Sequence, residues 1–224
     1  MPQLLAKLAD LYGPAGREGR VRRFLLDALQ GLGECRTDGA GNVVVFRKGA
    51  DSSRRLLVTA HMDQPGLRVT GAGADGLLAA VPVGALKTEF LDGAEAVFED
   101  GAAAVCRAGA DGRVELDCGP AVPPAASAPA AGTASAAARI GRTAVLRGDA
   151  AIAGGFAIGG SLSHRAGCFV LLKALEKLGQ ARWDTYFAFA AQHHAGMRGA
   201  VYLARALKPD RAVAVGAAEA AGAA

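Results

Sequence analysis

The stretch Phe187-Ala-Phe-Ala-Ala-Gln-His-His-Ala-Gly-Met-Arg-Gly-Ala200 constrains this chain more than any other. Trp183 to Ala191 is an apolar, aromatic run of strand length, and Gly196 to Leu207 carries Ala200, Leu203 and Leu207 at helical spacing. A strand delivering polar residues into a helix is the unit of an open α/β sheet, whose ligands bind beyond the carboxyl ends of the strands. Gln192, His193 and His194 hold that position. The chain has four histidines, and the other two fall at similar junctions: His61 after the apolar run Leu56 to Ala60, and His164 where a glycine-rich segment opens a helix. This distribution predicts one shared site.

The pattern before and after that unit is consistent with it. Leu4, Leu5, Leu8 and Leu11 predict a first helix, stopped by Gly13-Pro-Ala-Gly16, and Val21, Phe24, Leu25 and Leu29 face inward on a second from about Arg17 to Gln30. Asp38 to Asn42 reads as a turn, Val43–Phe46 and Leu56–Thr59 as strands, and Lys48 to Arg55 as a polar loop between them. From about Thr70 to Gly155 the texture changes to short β-like runs between glycines: Leu77–Val83, Ala94–Phe98, Ala103–Arg107, Arg113–Asp117 and Thr143–Leu146. We therefore expect an α/β domain over 1–69 and 156–224, with a small β domain inserted over 70–155. Pro120 to Ala138 is Ala/Pro/Ser sequence with almost no charge and is expected to be a mobile loop. A helix from Ser163 to Leu178 and a last strand, Arg211 to Val215, complete the frame.

A hydrophobic content of 51% over 224 residues supports a well-buried core. No stretch reaches the roughly 18 consecutive apolar residues of a spanning helix, and Met-Pro-Gln-Leu-Leu does not open a secretory signal, so a cytoplasmic location without membrane association is expected. The net charge of +4 includes Arg17, Arg20, Arg22 and Arg23, read as a solvated helix face. Aromatic content of 5% offers no stacking platform, so no nucleic-acid partner is expected. Cys35, Cys106, Cys118 and Cys168 lack metal-type spacing and are expected to be idle thiols.

His61-x-Asp63 after a strand pairs an imidazole with a carboxylate able to fix its tautomer. Around it stand Gly13-Pro-Ala-Gly-Arg-Glu18 with Val21-Arg22, Asp38-Gly-Ala-Gly-Asn42, Ala60-His-Met-Asp-Gln-Pro-Gly66, Gly148-Asp149, Gly160-Ser-Leu-Ser-His-Arg-Ala-Gly-Cys168, Gln192-His-His-Ala-Gly-Met-Arg-Gly-Ala200 and Pro209-Asp210. With these pieces in this order, the chain resembles the zinc-dependent aminopeptidases that assemble into tetrahedral particles, the glutamyl, leucyl and lysyl aminopeptidases once mislabelled as cellulases. The resemblance implies an α/β aminopeptidase-type fold (phosphorylase/hydrolase-like, three layers α/β/α) interrupted by a β domain that aids oligomerisation.

It also implies a changed site. His61 matches a zinc-binding histidine and Asp63 the carboxylate that orients it. Ser163 stands where the family has the aspartate bridging two zinc ions, and His164 replaces the acid or amide beside it. His193 takes the place of the general-base glutamate and His194 that of a glutamate ligand. Gly216 falls near a further aspartate ligand, and the chain is expected to end before the last histidine ligand. Two zinc ions need a bridging anion, which a serine hydroxyl replaces poorly. The expectation is therefore one transition metal held by His61, His164 and His194, zinc first, with copper, nickel or iron as alternatives. Should the site be catalytic, His193 is the candidate base, and Asp63 serves as the carboxylate that orients His61. Both His193 and His194 can reach one site only if the backbone turns there, since adjacent side chains on a strand face opposite ways.

Two other readings stay open: a metal-free pseudoenzyme acting as an assembly or binding partner, and an active aminopeptidase with unusual ligands. A homo-oligomer is expected, or a protein partner covering the sheet edge near Arg211 to Val215. Gln64 and Pro65 follow His-x-Asp where the family differs, so its substrate preferences do not transfer.

Overall fold

A computed structural model describes residues 2–109, 111–119 and 136–218. The chain divides into two compact units, 1–64 with 148–224, and 65–147.

The first unit opens with α1 (Pro2–Ala9) and α2 (Gly19–Ala28), followed by β1 (Glu34–Thr37), β2 (Val43–Arg47) and β3 (Gly49–His61). The second unit contains β4 (Gly66–Ala72), β5 (Leu78–Val83), β6 (Glu95–Phe98), β7 (Ala103–Ala108), β8 (Val114–Asp117) and β9 (Thr143–Leu146). The first unit then resumes with β10 (Ala151–Ala153), β11 (Phe156–Ile158), α3 (Leu162–Lys177), β12 (Ala181–Ala190), α4 (Arg198–Leu207) and β13 (Arg211–Ala214).

In the first unit a five-stranded sheet runs β1-β2-β12-β3-β13. β12 and β13 both lie parallel to β3, while β2 is antiparallel to β12. The period-two alternation of β12 divides its side chains between two layers. Phe187, Phe189 and Ala191 join Leu8 of α1, Val21 and Leu25 of α2, and Leu171, Leu172 and Leu175 of α3 in one apolar core. Ala188 and Ala190 pack on the opposite face with Val44, Leu57 and Leu203 and Leu207 of α4. The unit is thus three layers, α/β/α. Ala190 is in register with His61 across the central parallel pair, and Ala214 with Thr59 on the other side, so the carboxyl ends of β12, β3 and β13 lie together.

The polar segment 48–55 is not a loop. Gly49 and Asp51 pair with Ala181 and Trp183, extending β3 by a polar half that its composition conceals. Asp184 supplies the reason, since its Oδ1 accepts from the Gly49 amide at 2.9 Å and from the Ser52 hydroxyl at 3.1 Å. Arg17, Arg20 and Arg23 are exposed and Arg22 is half-buried, as a solvated helix face requires.

The second unit is a closed six-stranded barrel, β4-β5-β8-β7-β6-β9. Alternate residues such as Leu78, Ala80, Ala104, Cys106, Val114 and Leu116 fill its interior. Its boundaries correct those expected from sequence. It begins at Pro65 because β4, a half-polar strand, runs from Gly66, and it ends at Arg147 because β10 and β11 form a separate hairpin assigned to the first unit. The Ala/Pro segment expected to be mobile lies outside the described residues up to 135, and Ala136–Arg139 is a turn of 3-10 helix. All four cysteines are free thiols.

Candidate metal centre

His61 ends β3, and Asp63 follows two residues later, fully buried. His61 Nδ1 is 3.1 Å from the Asp63 carbonyl oxygen and 3.6 Å from Asp63 Oδ1. A carbonyl can only accept, so Nδ1 carries the proton and Nε2 keeps its lone pair. The other carboxylate oxygen of Asp63 accepts from the His194 backbone amide at 2.8 Å. Burial raises the Asp63 pKa, but the His61 ring and the His194 amide outweigh it and hold the carboxyl below its usual range.

His193 and His194 follow β12 through a true backbone turn. Gln192 has a φ of +54°, the left-handed region that non-glycine residues seldom occupy. Side-chain acceptors from three separate segments hold the amides of this turn. Asn42 Oδ1 takes the Ala191 N–H at 2.8 Å, Glu18 Oε1 the Gln192 N–H at 2.9 Å, and Asp63 the His194 N–H. Asn42, Glu18 and Asp63 are all buried. Asn42 also donates to the Gly199 carbonyl at 3.2 Å, tying the start of α4 to the end of β12. Gly199 is required there, because a Cβ at that position would stand 2.2 Å from Asn42 Oδ1 and 2.4 Å from the Ala191 carbonyl oxygen.

His164 comes from the first turn of α3. One turn further on, Gly167 lets the helix approach the strand ends, where a Cβ would meet the Val215 carbonyl oxygen at 2.5 Å. Arg165, fully buried, donates to the carbonyls of Met62 and Leu11 and to Gln64 Oε1. It thereby clamps the segment carrying His61 and Asp63. Gln64 is thus an internal acceptor, buried like the arginine it holds. Cys168 donates to the His61 carbonyl at 3.2 Å, and burial drives its thiol up to about 12.

The four histidines expected to share one site come together. A nitrogen from each of His61, His164 and His194 lies within 4.8 Å of the others, and His164 Nδ1 is 3.3 Å from His194 Nε2. His193 stacks on His61, ring centroids 4.3 Å apart and planes at 16°. Desolvation, reinforced by neighbouring imidazoles, lowers the pKa of His164 to about 4, and desolvation also lowers those of His193 and His194. His164, His193 and His194 are therefore neutral near pH 7, the form that ligates metals. They open on a cavity of about 600 Å³ in the same unit, lined otherwise by Met197 and by mostly small residues that include Ala60, Ser163, Ala200, Val215 and Gly216. Ser163 is exposed on that wall.

Sequence reasoning left Glu18, Asn42 and Arg165 without a role. Their signal was present only as motif fragments, because a buried polar side chain reveals its partner only in three dimensions.

A three-layer α/β domain gathering histidines and a carboxylate at the carboxyl ends of parallel strands defines the aminopeptidase-type class of fold. The chain belongs to the M42 glutamyl aminopeptidase family, whose model matches residues 41–106 and 128–223. It is similar to a presumed aminopeptidase of Acetivibrio thermocellus, with 28% identity over 225 residues covering 96% of this chain and 65% of that protein. A lysyl aminopeptidase of Pyrococcus furiosus is 35% identical over 91 residues, 40% of this chain and 26% of its own length. Among solved structures, a Thermotoga maritima protein described as an endoglucanase has a TM-score of 0.77 at 30% identity, covering 97% of this chain and 66% of that one. An aminopeptidase of Desulfurococcus kamchatkensis has a TM-score of 0.82 at 26% identity, covering 100% and 65%. The chain thus spans about 65% of the length of such relatives.

Proposed function

We propose that this chain is a divergent aminopeptidase homologue that binds a single transition metal ion through His61, His164 and His194, zinc first, and that ordinary dinuclear peptide hydrolysis is not its chemistry. One observation carries the reading: nitrogens of three imidazoles lie within 4.8 Å of one another. Two nitrogens on one tetrahedral zinc ion, each at about 2.0–2.1 Å, stand about 3.3 Å apart. That is the separation of His164 Nδ1 and His194 Nε2. The donor set is nitrogen only, which suits zinc, copper, nickel or iron rather than magnesium or calcium. Ser163 gives a second cation no bridging charge.

A bound ion would supply Lewis-acid activation of a ligand in the cavity. The chain's own residues set the rest. Asp63 keeps His61 in the tautomer that leaves Nε2 free and, through the His194 amide, fixes the spacing of the two ligand segments. His193 lines the cavity beside His61 and is the imidazole placed to accept a proton from a cavity ligand.

The direct contact between His164 and His194 also favours a second reading, since one imidazole donating to the other satisfies both without a metal. On that reading the chain is a pseudoenzyme acting as a scaffold or binding partner. Metal content per chain, measured by mass spectrometry on untagged protein beside the His61→Ala and His194→Ala variants, separates them. One ion per chain, lost in both variants, is the expected result; no ion after incubation with zinc would leave the scaffold. Chelator-sensitive release of amino acids from short peptides, abolished by His61→Ala, would instead restore a working aminopeptidase.

Assembly into homo-oligomers belongs to the same proposal. The Pyrococcus horikoshii TET1 peptidase, 26% identical with a TM-score of 0.75, can assemble into a tetrahedron or a large octahedral shell. Among the described residues β13 lies at the edge of the sheet with all its residues exposed, its outer backbone groups open to pairing with a further strand.

A further inference from the structure

Glu18 occupies the position that begins α2, where an acidic side chain ordinarily turns back to its own helix amides. It does not do so: its side chain makes no capping bond. Oε1 instead accepts the Gly16 amide at 2.8 Å and reaches across to the Gln192 amide at 2.9 Å, while Oε2 stands 4.0 Å from Arg22. The side chain is 2% exposed, so this reach is made inside the protein, where a lost acceptor is not replaced freely by water.

Gln192 is the residue at which the chain departs from β12. Its φ of +54° lies in the left-handed region, which strains a residue that carries a Cβ. On either side the chain is tied by other groups, Ala191 by Asn42 and His194 by Asp63. The Gln192 carbonyl accepts the Arg198 and Ala195 amides at 3.2 and 3.3 Å and the Gln192 side-chain amide donates to the Ala40 carbonyl at 3.5 Å, while Glu18 is the side chain that holds the Gln192 backbone N–H. Without Glu18 the backbone at Gln192 can relax towards the extended form of β12, in which residues 193 and 194 would face opposite sides of the sheet.

We infer that Glu18 is a positioning residue of the histidine site: by holding the Gln192 amide it maintains the left-handed turn that presents His193 to the His61 ring and His194 to His164. The inference rests on the reading that these histidines act as one site, but not on which ion they hold.

The test is NMR of the histidine rings in metal-free protein, comparing the wild type with Glu18→Ala and Glu18→Gln. Glutamine keeps an oxygen able to accept both amides, with its amide nitrogen turned towards the Arg22 side. The alanine variant is expected to shift the His193 and His194 ring signals and to remove the ring-current contribution of the His61 stack, while amides of the barrel unit stay in place. The glutamine variant is expected to keep the wild-type positions, a rescue that identifies the acceptor as the cause. Should Glu18→Ala fail to fold, Glu18→Asp serves in its place, being one methylene too short to bridge both amides. Unchanged ring signals in the alanine or aspartate variant, or equal shifts in the glutamine variant, would overturn the assignment. Absence of bound metal in the wild type would remove the metal reading and leave this comparison intact.

Discussion

Replacing Asn42 by alanine tests how firmly the site's backbone is held. The side chain is fully buried and serves two main-chain groups: its oxygen accepts the Ala191 N–H at 2.8 Å and its nitrogen donates to the Gly199 carbonyl at 3.2 Å. Alanine leaves the buried Ala191 N–H without its acceptor, which costs about 1–3 kcal/mol, whereas the Gly199 carbonyl stands inside α4, where the helix's own amides can serve it. The expected loss is therefore about 1–3 kcal/mol, a sizeable part of the roughly 5–15 kcal/mol that holds a typical domain together. At about 2–4 °C per kcal/mol for a chain of this size, the melting temperature should fall by roughly 2–12 °C. Trp183, the sole tryptophan, lies in β12 of the same unit, so its fluorescence during urea and thermal unfolding reports on the part affected. A loss below about 0.5 kcal/mol would refute the reasoning, because it would mean that water or a shifted backbone satisfies the Ala191 amide at little cost.

Two further outcomes follow from the titrating groups. Burial holds His164 at about 4, against 6.5 when free, and lowers His193 and His194 in the same direction. The unfolded chain therefore takes up these protons first: the stability they contribute is complete above pH 6.5 and is lost as the pH falls towards 4. Metal-free protein should accordingly unfold at lower urea at pH 5 than at pH 7.5, and an equal or higher midpoint would contradict the buried neutral cluster. Cys168, with its thiol raised to about 12, should resist iodoacetamide at pH 8 in the folded protein while the half-buried Cys118 reacts. Equal labelling of the two would show that the floor of the site opens.

Much of the site was legible from residue order alone. Periodicity placed α2, α3, β12 and α4 to within a few residues, and four histidines at strand and helix junctions pointed to one cluster. The requirement for a turn before His193 also followed from strand geometry. The polar half of β3 was hidden, because Ser52, Arg54 and Arg55 carry no apolar alternation and are held in the sheet by Asp184, far along the chain. β4 and the β10–β11 hairpin escaped for a related reason, being short runs whose pairing partners set their extent.

What the sequence determined by itself is the set of layers and the residues at their ends: alternation and helical spacing are local, and so is the placing of histidines at strand and helix junctions. Which face His193 presents, why Gln192 accepts a strained backbone, and what Glu18, Asn42 and Arg165 are for were decided only by tertiary structure. Each depends on a buried hydrogen bond between segments distant along the chain, and such a bond has no period from which it can be read.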